Sequence, residues 1–375
     1  MQAARFARLV SFCLALLVSF TAPVAAIPML LVDTSTLQVL YSEDAGQPWH
    51  PASTTKLMTA YLTFASIAAG RVSLDTPVVI SQHAWNQAPA KSGLAVGQSV
   101  SLKDALYIML VKSANDMAVA VAETVSPDHT EQGFVAEMNQ MAQQMGLKAT
   151  HYDNANGLKS PGQISSARDL AIIALYIRRD YPQYLPIFGT QWVQLGDHKL
   201  ETSNGLLEHF SGVTGMKTGF ICESGLNIVA TLDRDGHSLM AVVLGASSVR
   251  ERNELAAQLF LRGLSGALKP TGQTVLDVAD IAGSPVDMSA LICGKQAKAY
   301  AKQRAAVFPM GLRGQPSYLT DRIQGPTYVA TELAGGAPGV PLPRPRPGSD
   351  GTPIAPAPSS AEGDLSPPDA DAAAD

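Results

Sequence analysis

The order in which two kinds of periodicity run along this chain constrains its fold more than any other feature. Alternating apolar runs at Met29 to Asp33 and Leu37 to Tyr41 flank Thr34-Ser35-Thr36 and predict a hairpin near the start. Much later, Leu226 to Leu232 and Ser238 to Leu244 flank Asp235-Gly236, a strong signal for a second hairpin. Between them the spacing is helical. One helix is predicted from Ser53 to Ala69 with Gly70 as its stop, and another from Ser101 with Asp104 as capping partner. A third runs from about Gly133 to Met145, closed by Gly146, and a fourth, capped by Ser166 and Asp169, reaches about Arg179. Helical spacing returns from Arg250 to Leu264. Strands at both ends and helices between them predict an α+β domain, an antiparallel sheet flanked by a helical cluster, in which the first and last strands pair. Met138, Met141 and Met145 recur at helical spacing and read as a core stripe.

Of the 375 residues, 46% are hydrophobic and 16% charged, and the formal net charge is −5. That composition excludes a wholly disordered chain and a strongly basic nucleic-acid binder. The N-terminus reads as an export signal. Arg5 and Arg8 precede an apolar run from Leu9 to Phe20, and Val24-Ala25-Ala26 offers small residues for cleavage after Ala26. Cys13 sits inside the apolar run behind bulky Phe12, which argues against a lipidated start. The expected division is therefore a signal at 1–26, a main domain at 27–268, a small C-terminal module of unassigned fold at 269–334, and a Pro/Ala/Asp-rich, disordered tail at 335–375. Within the module a short helix is expected at about Gly294 to Ala306. The tail has two arginines against six acidic residues after Gly336 and no basic or amphipathic stretch to hold it on anionic lipid. A soluble periplasmic or envelope protein, with no clear membrane anchor after cleavage, is the expectation. Cys222 and Cys293 remain after the signal; an oxidising compartment makes a disulfide between them the natural guess, although sequence cannot show that they approach. The seven histidines show no paired metal spacing.

Three short motifs carry chemistry. Ser53-Thr54-Thr55-Lys56 places a hydroxyl and an amine at i and i+3, on one helix face. A buried lysine loses its proton more readily, so Lys56 could take the proton of Ser53. Alone, S-x-x-K turns up about once by chance in a chain of this length. Ser113-Ala114-Asn115, on the second helical region, could place a second hydroxyl beside Lys56 for proton shuttling, and an amide to hold a substrate carbonyl. Lys217-Thr218-Gly219 precedes the late hairpin. On an edge strand its lysine and threonine would meet a substrate carboxylate, Gly219 would allow close backbone approach, and the amide of Phe220 could join that of Ser53 as an oxyanion hole. Lys91-Ser92-Gly93 fits the same K-[ST]-G form, but it precedes Ser113 and no tight hairpin follows it.

In context the trio is specific. His50-Pro51-Ala52-Ser53-Thr54-Thr55-Lys56-Leu57-Met58-Thr59 resembles the active-site segment of the D-alanyl-D-alanine carboxypeptidases, the serine-type low-molecular-mass penicillin-binding proteins. Val111-Lys112-Ser113-Ala114-Asn115-Asp116 resembles their second motif, with Ala114 where glycine is usual. Asn156-Gly157-Leu158, Pro161-Gly162 and Ser165 to Asp169 look like the loop and helix that follow. Gly215 to Phe220 is similar to their third motif, with Phe220 where polar residues are common. Arg252 matches a family arginine that helps hold the substrate's terminal carboxylate, although Arg250 lies close by. The likeness covers Pro28 to Leu264. It implies a β-lactamase/transpeptidase-like fold and removal of the terminal D-Ala from peptidoglycan stem peptides through an acyl-enzyme on Ser53, with Lys56 as base. Ser113 and Asn115 would relay protons and position substrate; Lys217, Thr218 and Arg252 would bind its carboxylate. β-Lactams would acylate Ser53, and no metal or organic cofactor is needed. An endopeptidase acting on cross-links, a non-catalytic cell-wall binder and a β-lactamase are the alternatives.

Overall fold

The computed structural model describes residues 27–333, so the expected signal at 1–26 and tail at 335–375 lie outside the described residues. In chain order, strands β1 (Met29–Asp33) and β2 (Val39–Glu43) lead through a 3-10 turn (Ala52–Thr55) into helix α1 (Lys56–Ala68). A ribbon of β3 (Pro77–Val79) and β4 (Ser99–Ser101) precedes helices α2 (Leu102–Val111), α3 (Asn115–Val125), α4 (Glu131–Gln144) and α5 (Ala167–Asp180). Then come β5 (Trp192–Leu195), β6 (His198–Glu201), β7 (Val213–Ile221), β8 (Gly225–Arg234), β9 (His237–Ala246), helix α6 (Val249–Leu264), helix α7 (Ala297–Val307) and β10 (Thr327–Ala330).

The expected pairing of chain ends is what organises the molecule. The five-stranded antiparallel sheet runs β2-β1-β9-β8-β7, with Leu30 opposite Val242 and Leu31 opposite Ala241. Strand periodicity then decides the layers. Leu30, Val32, Met240 and Val242 face the main helical cluster, whereas Leu31, Ala241 and Val243 face α6 through Leu255, Leu259 and Phe260. Because both faces are covered, eight consecutive residues of β8 are buried. Each large apolar side chain removed from water here contributes about 1.5–3 kcal/mol.

Most helix starts follow their caps. Ser101 accepts the amide of Asp104, Ser166 that of Asp169, and Ser248 that of Glu251. Helix α4 begins earlier than its apolar spacing suggests because Thr130 accepts the amide of Gly133. Met138 and Met145 are buried on it and just after it, with Met141 half-buried against the same core. The second helical region is interrupted: α2 ends at Val111, and Ser113 takes a left-handed φ of 64° before α3 starts at Asn115. Helix α3, apolar on every side from Met117 to Ala122, is the buried centre of the helical cluster.

After α6 the chain wraps the body. It runs beside β2, where Thr271 donates to the carbonyl of Val39, and turns at Ser289–Ile292 before α7. It ends as β10, parallel to β5 in a second sheet of order β10-β5-β6 that sequence spacing did not suggest. Its apolar residues join the body's core: Val275, Val278, Met288, Ile292, Tyr300 and Ala330 pack into the main cluster. The thiols of Cys222 and Cys293 form a disulfide with Cα atoms 5.6 Å apart, tying the end of β7 to this segment. Among the described residues no helix is long and apolar enough to cross a membrane.

Candidate active site

The Ser53 turn is built by its neighbours as much as by its own sequence. Residues Ala52–Thr55 form a 3-10 turn rather than the start of the α-helix, which begins at Lys56. Side chains at i and i+3 eclipse in that geometry, so Ser53 and Lys56 stack. Two glycines admit the turn. A Cβ on Gly219 would lie 2.9 Å from the Pro51 carbonyl oxygen and 3.0 Å from the Ser53 nitrogen. A Cβ on Gly157, whose φ is +88°, would lie 1.9 Å from the Ala52 oxygen. Asn227 of β8 fastens the approach, donating to the carbonyls of His50 (3.0 Å) and Pro51 (3.2 Å) while its Oδ1 accepts the Gly245 amide (3.0 Å).

Lys56 is wholly buried. Its Nζ donates to Ser53 Oγ (2.9 Å), Asn115 Oδ1 (2.7 Å) and the carbonyl oxygen of Asn156 (2.7 Å). Burial drives its pKa well below 10.5, the positive charge of Lys217 pushes the same way, and the negative charge of Asp116 opposes them. The outcome is an amine held against a serine hydroxyl with its proton loosened. Asn156 was legible only as part of the loop that resembles the family's; its contribution is a backbone carbonyl, presented by the turn that Gly157 makes.

Asn115 is held by its neighbours. Its Nδ2 donates to the carbonyls of Ala88 and Pro89 (both 3.0 Å), so the carboxamide is fixed with its oxygen toward Lys56 and its donors already engaged. Ser113, lifted by its left-handed backbone, accepts from Lys217 Nζ (2.8 Å) rather than from Lys56. The Lys91-Ser92-Gly93 triplet has a structural task here: Ser92 donates to Asp116 through both Oγ (2.7 Å) and its amide (3.0 Å), anchoring the 88–93 loop beside Asn115.

The opposite wall is β7, an edge strand as expected. Lys217 is buried and also donates to the Thr218 carbonyl (3.0 Å). Burial, with the adjacent charge of Arg252, lowers its pKa to about 7. Thr218 Oγ1 meets Ser203 Oγ at 2.5 Å, and Arg252 donates to the Ser203 carbonyl at 2.9 Å. Ser203, which no motif signalled, thus joins the two. Arg252 is buried beside Lys217 and Thr218, whereas Arg250 turns away, donating to the carbonyls of Phe308 and Met310. Phe220 follows Gly219 on β7, its ring half-buried against the main core.

Residues 18–248 match the family described as D-alanyl-D-alanine carboxypeptidase. The chain is 34% identical over 240 residues to the D-alanyl-D-alanine carboxypeptidase DacD of Escherichia coli, a match covering 62% of this chain and 61% of that protein. It is 33% identical over 235 residues to DacF of Bacillus subtilis, covering 61% and 60%. The matched stretch therefore spans about three-fifths of these relatives' length. Penicillin binding protein 6B of Escherichia coli superposes with a TM-score of 0.59 at 33% identity, covering 63% of this chain and 76% of that one. The Streptomyces K15 DD-transpeptidase gives 0.61 at 25% identity, covering 64% of this chain and 98% of its own. With a family match across more than half of the sequence, the chain belongs to the D-alanyl-D-alanine carboxypeptidase family.

Proposed function

We propose that the protein is a serine-type D-Ala-D-Ala carboxypeptidase that trims peptidoglycan stem peptides. The observation that carries this reading is the 2.9 Å contact between Ser53 Oγ and a buried Lys56 amine whose pKa is driven down. Lys56 removes the hydroxyl proton as Ser53 Oγ bonds to the carbonyl carbon of the penultimate D-Ala. The C–N bond then breaks, and terminal D-Ala leaves with the proton on its amine. Water attacks the ester, again giving a proton to Lys56, and Ser53 is restored. The amides of Ser53 and Phe220 serve the oxyanion, with Gly219 allowing the approach. Lys217, Thr218 and Arg252 take the free carboxylate. Ser113, bonded to Lys217, passes protons to the leaving amine, and Asn115 keeps Lys56 aligned.

β-Lactams acylate Ser53 by the same route. The disulfide between Cys222 and Cys293 supports residence in an oxidising compartment, consistent with an export signal at 1–26 and a place in the periplasm or envelope. Mass analysis after incubation with a penicillin tests the chemistry. One adduct per folded chain, lost in Ser53→Ala, is expected; an adduct that persists in Ser53→Ala overturns the assignment, and rapid turnover with no lasting adduct would favour a β-lactamase.

A further inference from the structure

Along β7 the residues come in functional order. Lys217 and Thr218 stand with Ser203 and Arg252, Gly219 abuts the Ser53 turn, and beyond Phe220 and Ile221 the strand ends at Cys222-Glu223-Ser224. A peptide laid along this edge with its terminal carboxylate at Thr218 and its scissile carbonyl beside Gly219 must send its acyl side toward that turn. At about 3.3 Å per residue, the residue preceding the D-Ala-D-Ala pair lies close to it. On the facing wall Gly157 touches the Ser53 turn, and Lys159 follows two positions later. Lys159 and Glu223 form an ion pair that joins the two walls at this end of the cleft.

The two partners are unequal. The Lys159 side chain is 68% exposed, whereas that of Glu223 is only 10% exposed. Glu223 Oε1 accepts from Lys159, and among the described residues Oε2 accepts from nothing. The backbone around Glu223 is fixed on all sides. Cys222 is in the disulfide, the Glu223 carbonyl accepts the Met288 amide (3.0 Å), and the Ser224 carbonyl accepts Trp49 Nε1 (2.9 Å). Asp287 precedes Met288 in the chain, and its Oδ1 is already engaged by the Ser289 amide (2.8 Å) and hydroxyl. A nearly buried carboxylate with one open oxygen is thus satisfied by a single solvent-exposed lysine, and an incoming ammonium that takes the lysine's place leaves the carboxylate paired.

We propose that Glu223 is a subsite for a side-chain ammonium on the substrate residue preceding the D-Ala-D-Ala pair, and that Lys159 occupies it in the free protein. This rests on the carboxypeptidase reading. It has a consequence for substrate choice: acylation of that amine, as in a cross-link through it, removes the charge, so the site selects stems whose amine is free.

The test uses the full chain and three Nα-acetyl tripeptides, X-D-Ala-D-Ala, with X as lysine, Nε-acetyl-lysine or norleucine, reading released D-Ala. Wild type should favour lysine over the two uncharged residues by about tenfold in kcat/KM. In Glu223→Gln the ratio should fall toward one, and in Lys159→Met, which removes the internal competitor, it should rise. A wild-type ratio near one, or a ratio unchanged in both variants, overturns the subsite while leaving the carboxypeptidase reading intact. No D-Ala from any peptide overturns that reading and the subsite with it. Should Glu223→Gln fail to fold, Lys159→Met alone decides, since a ratio that does not rise contradicts internal competition.

Discussion

The cleft and the C-terminal segment are both fastened to the same sheet, by opposite means. In the cleft, two lysines and an arginine are buried within one site, satisfied largely by carbonyls, hydroxyls and an amide rather than by acids. Residues 269–333 instead lend scattered apolar side chains to the body's core and attach at discrete polar points. The Arg304–Glu251 pair (2.7 Å), Ser317 Oγ on Glu254 (2.5 Å) and Tyr328 on Asp104 (2.6 Å) are three of these. The difference teaches where each kind of stability is useful. Desolvated cations hold lowered pKa values for chemistry, whereas paired acids hold elements in place. The second region nonetheless reaches the first, because Glu251 immediately precedes Arg252 on α6 and Cys222 immediately follows β7.

The comparison breaks most readily at Lys56. Replacing it with Met should lower penicillin acylation of Ser53 by about a thousandfold, and Lys56→Arg should do no better, because guanidinium does not give up its proton. Stopped-flow acylation rates decide; near-normal acylation by Lys56→Arg would mean that the amine is not the base. Next in size is Arg304→Met, which strands a fully buried Glu251. A loss of about 3–5 kcal/mol in chemical denaturation is expected, together with a raised KM and a kcat less affected, since Arg252 rides on the same helical turn. Partial recovery of KM in Arg304→Lys would separate positioning from general loosening.

Lys217 sharpens the contrast through pH. With a pKa near 7 against an ordinary 10.5, it is charged below neutrality and loses that charge as pH rises. KM for peptides with a free terminal carboxylate should therefore climb above pH 7, approaching tenfold per unit. The same peptides with an amidated C-terminus should show no such climb. For stability the sign is reversed: between about 7 and 10.5 the unfolded chain binds the extra proton at this site, so its contribution to stability grows as pH rises through that window. The smallest effect belongs to Tyr328→Phe, which removes one hydrogen bond to Asp104 and should cost about 1 kcal/mol in denaturant unfolding without changing D-Ala release.

Sequence conveyed what depends on local periodicity and left out what depends on borrowed partners. The two hairpins were legible because apolar runs flank a short polar turn, Thr34-Ser35-Thr36 in the first and Asp235-Gly236 in the second, and the caps at Ser101 and Ser166 because their chemistry is local. The motif order picked Lys217 over Lys91, and the structure gives Ser92 a different partner in Asp116. Helix α3 went unread because it is apolar on all sides, so its pattern has no period to detect. The break at Ser113 is a single backbone φ, invisible in residue types. Asn156 contributes a backbone carbonyl, which its residue type does not signal, and Ser203 a hydroxyl that lies outside every motif. Residues 269–333 lack a pattern of their own since they complete the core of the body rather than build one.

The proposed reaction begins with Ser53 attacking a D-Ala-D-Ala peptide, and the measurement that tests it most directly is D-Ala release from a stem pentapeptide by wild type and Ser53→Ala. Release by wild type, and none above background from a Ser53→Ala protein that melts like wild type, is the predicted result. Equal release from both, or none from a wild type that is folded, would contradict it.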